Sequence, residues 1–187
     1  RDWSSDVCSS DLNEIDDIAT QIAVGALRFF LLKFTRTAII AFDFKEALNF
    51  DGETGPYLQY AAVRANNILR KILDSETDFS VDQIFAFMDM SEFSELVSGH
   101  DDIWEVVYAA SRLDEIANQV LVTLEPASLA KYAFVVAQKF NLFYHRYRII
   151  SEEDRSKRLF YLGVVELVRR ALMRMLDLMG IETPRRM

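Results

Sequence analysis

The sequence predicts an all-α protein folded as an antiparallel helix bundle. Its 187 residues include only 6 Gly and 3 Pro, so few positions would interrupt a helix. Apolar residues make up 51% of the chain and recur at helical spacing over long stretches. A single Cys cannot form an internal disulfide, and a chain of this length can bury a sizeable apolar core instead.

The first twelve residues are set apart from the fold. Residues 1–12 repeat Ser-Ser-Asp, show neither helical nor strand periodicity, and resemble a translated sequencing-adapter scar. We interpret them as non-native, which would leave the native chain truncated at its N-terminus. A helix is then expected from Asn13 to about Phe34, with Asp16 and Asp17 in its first turn, where carboxylates favour the helix dipole.

A turn at residues 51–56 precedes a second long helix. Its glycines tolerate backbone conformations that are closed to other residues, and Pro56 suits the first turn of a helix. Thr54 or Gly55 is the expected N-cap, and we expect the helix to continue to about Leu73.

The remaining elements follow from turn residues and capping signals. Ser151 and Asp154 stand three apart, as in a capping box, and Gly180 suits the residue after a helix C-terminus. In chain order, the pattern predicts a strand or extended connector at 38–43, a helical turn at 46–48, a polar linker and domain boundary at 74–80, short helices at 81–88 and 92–97, a helix at 99–124 that is continuous or broken once, and helices at 126–147 and 151–179.

The net charge of −8 conceals a strong asymmetry along the chain. Residues 71–125 contain two basic and thirteen acidic side chains, whereas residues 126–187 contain twelve basic and six acidic ones. This split leaves two interpretations open. The acidic and basic parts pair with each other, or the basic part contacts a nucleic acid while the acidic block faces away from it.

Several function classes find no support in the sequence. The most apolar run, residues 22–32, is interrupted by Arg28 and followed by Lys33, so we expect no membrane span, which needs about 20 apolar residues. His100 and His145 lack partners at metal-ligand spacing, and neither a Gly-x-Ser-x-Gly nor a Walker-type loop is present. We therefore expect no catalytic, cofactor or metal site in this chain.

Two aromatic and basic clusters suit contact with nucleic acid. Tyr57, Tyr60 and Arg64 are spaced to share one helix face, with Gln59 beside them. Tyrosine rings stack on unpaired bases, and an arginine adds cation–π and phosphate contacts. The alternative is a half-buried helix face that packs on a neighbouring part of the protein.

The second cluster lies in residues 140–148. We expect Phe140 and Phe143 to be core residues. Ring faces and guanidinium groups together are typical of proteins that recognise single-stranded RNA loops, and we assign that role to the other aromatic and basic members, namely Tyr144, Arg146, Tyr147 and Arg148.

The sequence resembles arginyl-tRNA synthetases at three separated places. Residues 50–64, followed by 68–71, resemble the signature that ends the catalytic half of these enzymes. Residues 124–132 and 137–145 resemble their helical anticodon-binding domain, and residues 178–187 resemble their C-terminus. The four-residue motif after which this DALR-type domain is named is met only loosely, within residues 165–169.

The resemblance implies a class I synthetase that attaches arginine to its tRNA with ATP and Mg²⁺. It also implies that the adenylate-forming site lies upstream of this chain, so that the fragment alone is inactive and holds no cofactor. Residues 13–73 would be the connecting helices at the end of the catalytic region, and residues 74–187 would be the anticodon-binding domain. The implied partners are tRNA(Arg) and the protein's own N-terminal catalytic domain, in the cytoplasm.

The resemblance also assigns site residues. In this family the loop and helix that match residues 51–64 meet the inner corner and anticodon loop of the tRNA. The resemblance also places an aromatic ring near the anticodon bases and the C-terminus at the same loop. With the basic end of the second cluster, the candidate tRNA-binding residues are Tyr57, Gln59, Tyr60, Arg64, Tyr144, Arg146, Arg148, Arg186 and Met187. The alternative function is a helical protein-interaction module without an RNA role.

Overall fold

The computed structural model describes residues 9–75, 80–88 and 91–187. In these ranges every regular element is an α-helix, so the all-α prediction is confirmed, and residues 38–43 form an irregular connector rather than a strand. In chain order the helices are α1 (Ser9–Leu32), α2 (Phe44–Ala47), α3 (Gly55–Ser75), α4 (Val81–Met88), α5 (Ser91–Ser98), α6 (Asp101–Ser111), α7 (Leu113–Thr123), α8 (Ala127–Arg146) and α9 (Arg155–Leu178).

Helix α9 lies at the centre of the bundle and contacts α3, α4, α6 and α8. Phe160, Leu172 and Met175 on this helix are fully buried. Each such side chain stabilises the fold by about 1.5–3 kcal/mol through the apolar surface that it removes from water. None of the described helices is both long enough and apolar enough to cross a membrane.

Helices α1 and α3 approach each other closely at two glycines. A Cβ atom on Gly55 would lie 2.4 Å from the carbonyl oxygen of Gly25, and a Cβ atom on Gly25 would lie 2.6 Å from Nε2 of Gln59. Both distances are shorter than van der Waals contact, so α1 and α3 can lie this close only without side chains at these positions; Gly55 would meet backbone of α1, and Gly25 would meet the Gln59 side chain. The close approach fixes where α3 lies, and α3 carries the first aromatic and basic cluster.

Helix ends agree with most capping expectations, with one correction. Thr54 caps α3, because its Oγ1 accepts a hydrogen bond from the Tyr57 backbone N–H at 3.4 Å. Helix α9 is capped by Asp154 and not by Ser151, since Oδ1 of Asp154 accepts from the Lys157 N–H at 3.0 Å. The expected helix over 99–124 is broken once, at Arg112. Gly180 has a φ of +67°, as a residue after a helix C-terminus requires.

The two segment boundaries expected from composition fall partly outside the described residues. Helix α1 begins at Ser9, so residues 9–12 continue the first helix toward the N-terminus, while residues 1–8 are not described. Helix α3 runs to Ser75 and packs against α8 and α9, and residues 76–79 of the expected linker are not described. The non-native origin of residues 1–12 and the domain boundary at residue 74 both stay predictions.

Candidate nucleic-acid interface

The structure brings the two predicted clusters together on the facing sides of α3 and α8. The guanidinium carbon of Arg64 lies 4.6 Å from the ring centre of Tyr60 and 4.9 Å from that of Tyr144. Nη1 of Arg64 also donates a hydrogen bond to Oδ1 of Asn141 at 2.8 Å. Two cation–π contacts and one hydrogen bond therefore hold this arginine between residues that are distant in the sequence.

An open groove of about 660 Å³ surrounds this arginine. The half-buried ring of Tyr57 forms part of its wall and packs on Phe134, with ring centres 5.4 Å apart. The 50–51 turn and one face of α8 supply the rest of the lining. In addition to Tyr57, Tyr60 and Arg64, the groove is lined by Phe50, Asp51, Val135, Gln138, Lys139, Asn141, Leu142 and His145. Aromatic rings, amides and cations thus share one concave surface.

The opposite face of α8 belongs to the core. Phe140 is 0% exposed and Phe143 is 3% exposed, which confirms the prediction that both are core residues. Because these two buried rings fix the rotation of α8 about its axis, Asn141 and His145 face the groove, and Tyr144 meets Arg64.

Helix α6 lies beside the groove and neutralises two cations, Lys139 in the groove lining and Arg146 in the adjoining depression. Oδ2 of Asp102 lies 2.6 Å from Nη1 of Arg146, and Oε2 of Glu105 lies 2.6 Å from Nζ of Lys139. Oη of Tyr147 donates a second hydrogen bond to Asp102 at 2.9 Å. The expectation that the whole acidic block faces away from the candidate RNA surface is therefore wrong for α6.

The hydrogen bonds around Asp102 change the pKa values of two groups. Burial alone would raise the pKa of Asp102, but the hydrogen bonds from Arg146 and Tyr147 outweigh it and lower that pKa below its usual value. Burial, and then the hydrogen bond to Asp102, raises the pKa of Tyr147 to about 12. At neutral pH the carboxylate is thus charged and the phenol is protonated, so both remain in the states that the hydrogen bond needs.

Gln59 is a candidate residue that burial removes from the interface. Its side chain is 0% exposed, and Nε2 donates to the backbone oxygens of Gln21 at 3.0 Å and Glu182 at 2.8 Å. A helical step of about 100° from the exposed Tyr60 turns Gln59 away from the groove and toward α1. The side chain joins α1, α3 and the C-terminal segment, and it cannot touch RNA from this position.

The remaining candidates, like Tyr144 and Arg146, are not among the residues that line the groove. Arg148 is exposed in the connection that follows α8. Arg186 is exposed and lies 3.1 Å from Glu14 on α1, and Met187 is partly buried. The groove does not bring these three residues together with Arg64, and their role in tRNA binding stays a prediction.

The sequence clusters do not single out Asn141, although it holds Arg64 in place. Asn141 lies three residues before Tyr144 and four before His145, so helical spacing along α8 is the signal that could identify it. Lys139 and Gln138 lie on the same helix and also line the groove. Among the described residues, no three His, Cys, Asp or Glu side chains converge as a metal site requires.

Comparisons with known proteins identify the family to which the chain belongs. Residues 58–187 match the family model described as the DALR anticodon binding domain. The chain belongs to the DALR anticodon binding domain family. Arginine–tRNA ligase of Pyrococcus furiosus is 36% identical to it over 178 residues, covering 93% of this chain and 27% of that protein. Arginine–tRNA ligase of Latilactobacillus sakei is 34% identical, covering 95% of this chain and 29% of that protein.

Solved structures give the same result for the fold of this DALR domain chain. Thermus thermophilus arginyl-tRNA synthetase superposes with a TM-score of 0.72 at 27% identity, covering 92% of this chain and 28% of that one. The resemblance to arginyl-tRNA synthetases is therefore confirmed. The chain spans less than a third of the length of these three relatives.

The loosely matched DALR motif has a clear structural role in this chain. Glu166 and Arg169 occupy its acidic and basic ends, and Nε of Arg169 donates to Oε2 of Glu166 at 2.6 Å. Arg170 donates to the other oxygen at 2.7 Å and also lies over the Phe85 ring of α4. Burial would raise the pKa of Glu166, but these two arginines lower it. The motif thus keeps a buried carboxylate paired where α9 meets α4.

Proposed function

We propose that this chain is the tRNA-binding C-terminal part of an arginine–tRNA ligase, and that its groove receives the anticodon loop of tRNA(Arg). The observation that carries the proposal is the position of Arg64 between Tyr60 and Tyr144. Single-stranded loops expose base faces that stack on aromatic rings and phosphates that pair with cations. The groove offers both kinds of group on one concave wall.

The activity of the whole protein is part of the same proposal. Attachment of arginine to tRNA(Arg) in the cytoplasm, with ATP and Mg²⁺, would be performed by an N-terminal catalytic domain for which this chain positions the tRNA. Exposed apolar side chains near the start of the chain support such a partner domain. Ile39 is 100% exposed and Phe44 is 72% exposed, and Leu27 and Leu31 on α1 are also exposed. A neighbouring domain would cover this apolar surface.

The test is binding of tRNA(Arg) to the 187-residue chain and to two variants, one at Arg64 and one at Tyr144, whose ring contacts Arg64. In Tyr144→Ala a stacking ring is lost, so we expect the affinity to fall about 5- to 150-fold, which corresponds to about 1–3 kcal/mol per base. Arg64→Ala should weaken binding in the same range, because it removes a cation and releases both tyrosine rings. Circular dichroism would show that both variants keep their helical content.

A matched control uses a tyrosine outside the groove. Tyr108 on α6 is 49% exposed and stacks on Trp104, so Tyr108→Ala removes an exposed ring without touching the groove. A second tRNA with an altered anticodon loop tests whether the groove reads that loop. Equal affinity of Tyr144→Ala and wild type would contradict the proposed site. No binding of either tRNA by the folded chain would favour the protein-interaction module.

A further inference from the structure

Two carboxylates of α6 form ion pairs with cations at the edge of the groove. Asp102 pairs with Arg146, and Glu105 pairs with Lys139, both at 2.6 Å. The two pairs join α6 to the last turns of α8. They lie at the surface, because the side chains of Arg146 and Glu105 are about two-thirds exposed. RNA phosphates that approached this edge would compete with the carboxylates for the same N–H donors.

The geometry holds Asp102 in place more firmly than an ordinary surface pair does. Tyr147 donates to both Asp102 oxygens, at 2.9 and 3.1 Å, in addition to the Arg146 contact. A depression of about 210 Å³ between α6 and α8 is lined by both ion pairs and shares Lys139 and Leu142 with the groove. The acidic edge is therefore continuous with the candidate interface and is not a remote acidic face.

A helix-dipole role explains only part of this arrangement. Asp102 lies in the first turn of α6, where an acid is favourable in any protein. That role needs no contact with α8, and it does not account for Glu105, one turn further along, on Lys139. Two acids on one face of α6 each meet a cation on α8, so the arrangement joins two helices and neutralises one edge of the groove.

We propose that Asp102 and Glu105 are specificity-determining residues that keep Arg146 and Lys139 from capturing RNA by its phosphates alone. The inference rests on the proposed tRNA-binding function and adds to it a means of excluding RNA that binds only through its phosphates. Sequence-independent RNA binding comes almost entirely from phosphate contacts, whereas stacking in the groove depends on splayed bases. Neutralising the two cations therefore weakens phosphate-only complexes more than complexes whose bases enter the groove.

The test uses Asp102→Asn and Glu105→Gln, each of which frees one cation. For each variant we expect the affinity for tRNA with an altered anticodon loop to rise more than the affinity for tRNA(Arg). We also expect the slope of log affinity against log salt to steepen by about 0.7–0.9. That change corresponds to about a threefold greater loss of affinity between about 50 and about 200 mM salt. Glu105→Gln provides an independent reading if Asp102→Asn weakens the start of α6.

Asp177→Asn is the matched control, because it makes the same change in net charge elsewhere. Asp177 pairs with Arg174 at 3.0 Å on the exposed face of α9, and neither residue lines the groove. If the α6 variants and the control steepen the slope equally, or if none does, the inference is wrong.

The salt slope also separates this inference from the proposed function. If wild type binds both tRNAs equally, the anticodon assignment fails, while the slopes of the variants still report whether the carboxylates block phosphate contacts. If wild type discriminates between the tRNAs and the α6 variants behave like Asp177→Asn, the proposed function stands and the acidic edge has no part in it.

Discussion

Gln59 is buried although its neighbours Tyr57 and Tyr60 both reach the groove. Its Nε2 donates to backbone oxygens of Gln21 and Glu182, while Oε1 is buried without a hydrogen-bond partner among the described residues. The amide therefore acts as a donor between α1 and the C-terminal segment. A carboxylate at this position would instead face two carbonyl oxygens.

Two substitutions separate the size of this side chain from its polarity. Gln59→Leu keeps much of the volume but leaves the Glu182 carbonyl without its donor, so we expect a loss of about 1–3 kcal/mol in unfolding free energy. Gln59→Glu should cost more at neutral pH, because it buries a charge without a cation. Burial would raise the pKa of that glutamate above its unfolded value, so the deficit should shrink as the pH falls. Urea denaturation at neutral and acidic pH measures both effects. Equal stability of the two variants at neutral pH would contradict this account.

At the scale of helices, the contact between α1 and α3 depends on two small residues. Gly55 begins α3 directly against the backbone of Gly25, whose carbonyl oxygen would lie 2.4 Å from an added Cβ atom. Neither glycine has a positive φ, so space and not backbone conformation requires glycine here. The site depends on this contact because Tyr57, Tyr60 and Arg64 all follow it on α3.

Gly55→Ala should therefore separate the two helices and destabilise the fold. Overpacking of this kind typically costs about 1–3 kcal/mol, and here the obstructing atom is backbone, so the upper end is expected. Gly99→Ala is the control. Its Cβ atom would meet nothing closer than 3.5 Å, so the substitution should be neutral or stabilise by up to about 1 kcal/mol. Urea denaturation of both variants gives the comparison, and similar midpoints would contradict the steric explanation.

The sequence predicts helices well here and predicts contacts between helices poorly. Helical spacing correctly places Phe140 in the core and gives the helical class of every described element. The same spacing cannot distinguish Gln59 from Tyr60, because only the position of α1 decides which of them is buried. At the N-terminus of α9 two side chains compete for the capping position. Ser151 and Asp154 both suit a cap, and the chain uses the acid that directly precedes the helix.

At the scale of the whole molecule, the acidic and basic parts of the chain meet. Glu105 and Lys139 pair across α6 and α8, and so do Asp102 and Arg146. The internal pairing that the charge asymmetry suggested is thus present at these two places. It is compatible with nucleic-acid binding, because the same cations border the groove. The pairs are partly exposed, and ion pairs of that kind contribute about 0–1 kcal/mol each.

Salt should therefore affect stability and RNA binding very differently. Between about 50 and about 200 mM salt, we expect the unfolding free energy to change by less than about 1 kcal/mol, because buried apolar groups of α9 dominate it and exposed pairs contribute little. Over the same range, two or three phosphate contacts would lower tRNA affinity by about 10- to 40-fold. Urea denaturation and tRNA binding, measured on one preparation at both salt concentrations, give the two quantities. A drop of several kcal/mol in stability would show that the ion pairs hold the helices together, and the loss of RNA binding would then follow from unfolding rather than from competition for phosphate.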